Sequence, residues 1–196
     1  MDTRTSILRA ALAVFVERGY DASTMQAVRE RAGISNGSLF HFFRSKEALG
    51  ATLYQEGILN YQHGLLETLG AHTTNAASGI SALVNFHLQW VEENVQLSRF
   101  LFERGHPDWG PDHIEVIRAA NNRTYQCLGD WLTSRMQSRQ LRQQPLAVAV
   151  ALLQGSTLSL SRAWLEDAKP GHLTRHAISL AHSLWAALRY ESEPEK

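Results

Sequence analysis

The 196 residues predict an all-α fold. Three observations carry that prediction. Apolar residues recur at spacings of three and four along nearly the whole chain. No stretch alternates β-branched and polar residues over the length of a strand. The breaks between periodic segments are short and built from Gly, Pro, Ser and Asp. An apolar fraction of 44% against 19% charged residues fits a soluble chain with enough apolar surface for real cores.

Each element follows in order. Ile7, Leu8, Ala11, Leu12, Phe15 and Val16 make the first helix, and Gly19 stops it. Thr24 opens a short helix, TMQAVRERA, which Gly33 ends. Ser35 caps a second short helix, SNGSLFHFF, and Ser45 caps a much longer one beginning KEALGATLYQEG. Residues 77–95 form the next helix, and VQLSRFLFER follows after a kink. GHPDWGPD is the clearest internal break. A long helix spans 112–140, and Pro145 fits the first turn of the one after it. Pro170-Gly171 breaks that helix, HLTRHAISLAHSLWAALRY closes the fold, and a frayed tail ends the chain.

The two short helices around Ala32-Gly33-Ile34-Ser35 make a helix-turn-helix pattern. Gly33 suits the left-handed residue of the turn, Ile34 plugs it from below, and Val28 and Leu39 face the core. Phe43 is expected in the core, with Phe42 packed below it or on a groove wall. Ser35, Asn36, Gly37 and Ser38 are small enough to bring the second helix close to a DNA groove. Asn36 has the amide that pairs bidentately with adenine, and the hydroxyls of Thr24, Ser35 and Ser38 suit phosphate or base edges. His41 lies one turn on, and Lys46 places a cation at a helix start, where a phosphate partner explains it better than the helix dipole does. Net charge is zero overall, but seven Lys/Arg stand against five Asp/Glu through residue 50.

Residues 3–54 resemble the DNA-binding domain of the TetR/AcrR family of transcriptional regulators. The resemblance rests on ILRAALAVFVERGYDASTMQAVRERAGISNGSLFHFFRSKEALGATLY, taken as an ordered set. It implies a three-helix DNA-binding domain at 1–46, a ligand-binding and dimerisation domain at 47–191 and a tail at 192–196. Family members carry a tyrosine hydroxyl on phosphate where Phe40 stands, and often another tyrosine at Phe42. Both hydroxyls are missing here, which shifts backbone contacts onto Thr24, His41 and Lys46, while Phe40 stays among the DNA-binding candidates.

The resemblance further implies a cytoplasmic homodimer, double-stranded palindromic operator DNA as partner and a small-molecule effector of unknown identity. In most such proteins the effector releases a repressor. The dimer seam is expected on Leu152, Ser156, Leu160 and Trp164 of one helix and Ile178, Ala181, His182 and Trp185 of the other. Phe86, Trp90, Phe102, Trp109, Tyr125 and Trp131 are candidate ligand-binding aromatics, with His63, His87, Asn121 and Gln154 as polar groups.

Other classes fare worse. No nucleophile elbow, phosphate-cradling loop or zinc-protease motif suggests an enzyme, and no cofactor is expected. Cys127 stands mid-helix without an evident histidine partner. His172 and His176, four apart on the last helix, have no cysteine or carboxylate cluster to complete a metal site. No apolar run of about 18 residues marks a membrane span, no secretory signal opens the chain, and one cysteine suits a reducing compartment.

Overall fold

A computed structural model describes residues 2–71, 74–103, 110–167 and 171–190. The elements are α1 (Thr3–Arg18), α2 (Met25–Ala32), α3 (Asn36–Phe42), α4 (Lys46–Ala71), α5 (Ala76–Glu93), α6 (Val95–Glu103), α7 (Pro111–Gln137), α8 (Leu146–Val150), α9 (Ser156–Glu166) and α10 (Ala177–Leu188). A π turn (Ala151–Gly155) joins α8 to α9, and a 3-10 turn (Leu173–His176) leads into α10. There is no strand among the described residues, only an isolated bridge between Leu141 and Arg189.

Packing divides the chain into two compact units, Met1–Asn60 with Asn94–Ala119 and Tyr61–Glu93 with Ala120–Lys196. The division falls within α4 and within α7, so each helix contributes to both units.

The first unit is centred on α1. Ile7, Ala11, Val14 and Phe15 are buried there, with Val28, Leu39, Phe43 and Leu49 from the next elements. Leu12 and Val16 are only half-buried, so the buried stripe is turned toward Ala10 and Val14. Phe15 meets the Tyr20 ring edge-on at 5.1 Å and stacks on Phe100 at 5.7 Å. Gly19 ends α1 at φ 75°. Ser23 is buried and its hydroxyl lies on the carbonyls of Val14 (3.2 Å) and Gly19 (2.6 Å), so the polar atoms at this helix end are satisfied.

The second unit has α5 against α10 and α9. Ile80, Val84, Leu88 and Val91 of α5 are buried, as are Ala177, Ala181, Leu184 and Leu188 of α10. Two glycines set close approaches. A Cβ on Gly79 would lie 2.3 Å from Cζ2 of Trp131, and one on Gly64 would lie 2.5 Å from Cε2 of Phe86.

Several boundaries differ from the sequence reading. Pro145 is the N-cap of α8, one place earlier than the first turn. Proline at N1 occurs instead at Pro111, which opens α7 directly after Gly110 at φ 85°. The helix from 146 ends at Glu166, ahead of the proline expected to stop it; Pro170 lies outside the described residues, as does most of the break before α7. His172 precedes the 3-10 turn and does not share a helix face with His176. Its Nδ1 lies 2.6 Å from Glu92, whose other oxygen accepts from the Thr174 N–H at 2.9 Å.

The π turn was not visible in the sequence. Its widened ladder leaves carbonyls loosely engaged, and nearby hydroxyls take them up. Ser156 donates to the Leu152 carbonyl, and Thr157 lies on those of Leu153 (3.2 Å) and Gln154 (2.9 Å).

Candidate nucleic-acid interface

Local chemistry builds the turn between α2 and α3. The Thr24 hydroxyl accepts from the Ala27 N–H at 3.2 Å, capping α2. Gly33 takes the left-handed conformation, φ 65° and ψ 35°, and its N–H returns to the end of α2. The Ser35 hydroxyl then accepts from the Ser38 N–H at 3.1 Å, capping α3. Accepting a bond leaves each hydroxyl its own proton to donate outward. Thr24, Ser35, Asn36, Gly37 and His41 are exposed, and Ser38 is half-buried. Leu39 is fully buried, holding α3 down, while Ile34 is half-buried under the turn.

The aromatics divide between core and surface. Phe43 alone of the three phenylalanines is core, at 5% exposure. Phe42 is 39% exposed and Phe40 43%, so neither is packed beneath Phe43. The Phe42 ring instead meets His41 edge-on at 5.2 Å. Helical periodicity marks these rings as apolar but does not say which surface they serve.

Lys46 is half-buried and has partners within its own unit. Its Nζ donates to the carbonyls of Tyr20 (3.0 Å) and Asp21 (3.1 Å) and lies 4.7 Å from the centre of the Tyr20 ring. These contacts explain a cation at the start of α4 without a phosphate. One ammonium proton remains for an outside acceptor. Lys46→Ala is therefore expected to cost ~1–2 kcal/mol of stability through the lost carbonyl bonds. If the third proton meets phosphate, the log–log salt slope of DNA binding also flattens by about one. Denaturation and affinity series read the two effects separately, and an unaltered slope would leave Lys46 a purely structural residue. Arg44, exposed between α3 and α4 and without an ion-pair partner among the described residues, is a cation the sequence reading passed over. Arg31 is already committed to Glu17 at 2.5 and 2.8 Å, a bond that holds the Glu17 carboxyl below its ordinary range.

In the second unit a cavity of ≈ 20 Å³ is lined by Tyr61, Leu65, Leu83, Val84, His87, Leu128, Leu153, Gln154 and Thr157. That space suits about one water molecule. Of the ten ligand-binding candidates, His87 and Gln154 line it. Phe86 and Trp90 reach it indirectly, through ring contacts with Tyr61 at 5.6 and 5.1 Å. Trp131 is buried against Gly79, Tyr125 is 48% exposed, and Phe102 belongs to the first unit. Trp109 lies outside the described residues.

A buried chain of hydrogen bonds runs beside the cavity. The Tyr61 hydroxyl is 2.8 Å from Nδ1 of His87, and Nε2 of His87 is 3.0 Å from the Ser161 hydroxyl. Sequence reasoning named His87 but missed Tyr61 and Ser161, which lie on helices 26 and 74 residues away. Burial pushes the His87 pKa down to about 4 and the Tyr61 phenol up. Neutral imidazole accepts at one ring nitrogen and donates at the other, so it can serve both hydroxyls.

Between the unfolded histidine value of 6.5 and about 4, the unfolded chain binds a proton that the folded chain refuses. Stability from this group is lost as pH falls through that window, by about 2 kcal/mol from pH 7 to 5. His87→Gln should flatten the dependence by that amount in urea titrations at the two pH values. A variant with an unchanged pH dependence would contradict the buried neutral histidine.

A third feature is the outward face of α8, the π turn and α9. Leu146–Glu166 has a mean hydropathy of 1.3 over its most apolar window, only 28% of which is buried. It meets the measure of a membrane-crossing helix by length and composition only, a test that the core helix of a soluble protein also passes. Ala151, Gly155, Ser159 and Ala163 point outward at four-residue spacing, flanked by half-buried Leu152, Ser156, Leu160 and Trp164. On α10, Ile178 is 82% exposed, His182 is exposed and Trp185 is half-buried. Ala181 departs from the expected outward set: at 7% exposure it is packed inside its own chain.

The left-handed glycine turn, the two caps and the small-residue helix define a helix-turn-helix unit in a chain whose described elements are all helical. Residues 7–52 match the family described as bacterial regulatory proteins, tetR family. The HTH-type transcriptional activator FasR of Mycolicibacterium smegmatis is 26% identical over 169 residues, 86% of this chain and 75% of that protein. The structure of the ketosteroid transcriptional regulator KstR2 of Mycobacterium tuberculosis superposes with a TM-score of 0.81 at 20% identity, covering 97% of this chain and 96% of that one. FadR from Bacillus subtilis, in complex with stearoyl-CoA, gives 0.77 at 18% identity, over 93% and 97%. The tetR-family match covers the helix-turn-helix segment at residues 7–52, and the similar proteins named here are transcription regulators.

Proposed function

We propose that the protein is a homodimeric, ligand-responsive repressor that a small molecule releases from a palindromic operator. The observation that carries the reading is the exposed polar face of α3, with Asn36, Gly37 and His41 outward on a helix anchored by Leu39. In this reading residues 1–46 bind DNA, with Thr24, Ser35, Ser38 and Lys46 on the backbone, and residues 47–191 sense and pair. One seven-residue helix buries too little surface for tight binding. Two, related by a two-fold axis, read half-sites roughly 34–36 Å apart. The outward apolar face of α8–α9 and α10 supports pairing, because soluble monomers rarely leave such a face uncovered.

In this reading the effector enters at the cavity beside Tyr61 and His87. A space of ≈ 20 Å³ must widen to admit an effector. The effector shifts the equilibrium only by binding the widened state better than the DNA-bound one. FadR with stearoyl-CoA supports a helical body that holds a small molecule and makes that thioester a first probe. FasR carries the name of an activator, so the sign of the transcriptional output is a separate question from DNA release.

Selection of binding sites from random duplexes tests the core of the proposal. Enrichment of a palindrome with two half-sites supports it. Absence of any enriched sequence at low salt would remove DNA reading from α3.

A further inference from the structure

We infer that Phe40 reads the methyl group of a thymine in each half-site. The inference deepens the proposed DNA reading and rests on it. Phe40 is 43% exposed and makes no ring contact among the described residues. It follows Asn36 by four residues and Gly37 by three, so its ring shares their face of α3. Gly37 has no side chain to stand between that ring and a base edge. A phenyl ring has no donor or acceptor, so it makes no hydrogen bond to phosphate. The apolar group that a base pair offers in the major groove is the C5-methyl of thymine.

Phe42 does not share this position. Two residues on, it lies ~200° around the helix, and its ring is engaged with His41 at 5.2 Å. Asn36 and Phe40 are separated by ~6 Å along the axis. That is about two base-pair steps. The thymine read by Phe40 therefore lies within about two base pairs of the base read by Asn36.

The test uses the full-length protein and its selected operator. Each thymine is replaced in turn by deoxyuridine, which removes only the C5-methyl. One thymine per half-site should weaken binding about fourfold when so replaced, the worth of one buried methyl. Phe40→Ala should bind the thymine and deoxyuridine operators alike at that position, with an unchanged circular dichroism spectrum and melting temperature. Asn36→Ala should keep the methyl effect. An operator with no methyl-sensitive thymine overturns the inference, as does sensitivity that survives in Phe40→Ala. A selection that enriches nothing defeats the DNA reading itself, and this inference with it. An enriched operator indifferent to the methyl defeats this inference alone.

Discussion

Gly155→Arg combined with Ile178→Glu is expected to give a folded monomer whose operator affinity is down on the order of a hundredfold or more, because the second half-site no longer binds intramolecularly. The substitutions are chosen for their freedom within the protomer. A Cβ at Gly155 meets nothing within 4 Å, and Ile178 is 82% exposed. Neither change disturbs the core, so a loss of binding reports on what lies outside the chain. Both put charge on the apolar face of α8–α9 and α10, where desolvating it against a second copy is costly. Sedimentation velocity gives the oligomeric state, and circular dichroism gives the fold. A persisting dimer would move the seam elsewhere and leave this apolar face in need of another occupant.

Gly79→Val is expected to cost ~3 kcal/mol, the largest stability loss from a single small substitution here. Overpacking a filled core costs typically 1–3 kcal/mol, and this contact is tighter than most. The first added atom would stand 2.3 Å from Cζ2 and 3.0 Å from Cη2 of Trp131. Trp131 is itself 6% exposed and has little room to withdraw. Helix propensity works the other way, since glycine is the poorer helix former. The sign therefore tests the close approach directly. In a Trp131→Leu background the same substitution should cost under about 1 kcal/mol, because the crowding ring is gone. Equal costs in the two backgrounds would show that Gly79 serves backbone geometry and not its approach to Trp131.

The features legible in the sequence are those whose cause is local. Thr24, Gly33, Ser35 and Ser45 act through the backbone within three or four residues, and each stands at the boundary its chemistry predicts. Core positions such as Val28 and Leu39 follow from helical spacing. The rest depends on partners distant in sequence. No pattern around Lys46 points to the carbonyls of Tyr20 and Asp21. No pattern around Tyr61 points to His87 and Ser161. Aromatic content alone could not sort Trp131, packed on Gly79, from Phe40, left in water. Periodicity gives the face of a helix but not the identity of the surface it meets.

The π turn at Ala151–Gly155 has a consequence for chain length. A π turn holds one residue more than a regular helix needs, while the flanking turns keep their own faces. Removing one residue within it would restore a regular ladder and leave α8 and α9 oriented as before. Removing one residue anywhere else in Leu146–Glu166 would rotate all that follows by ~100° and turn the outward stripe into the core. This helix thus carries a single point of slack, placed where Leu153 and Gln154 line the cavity. Shortening by one residue is better tolerated there than in the turns of α8 or the first turns of α9.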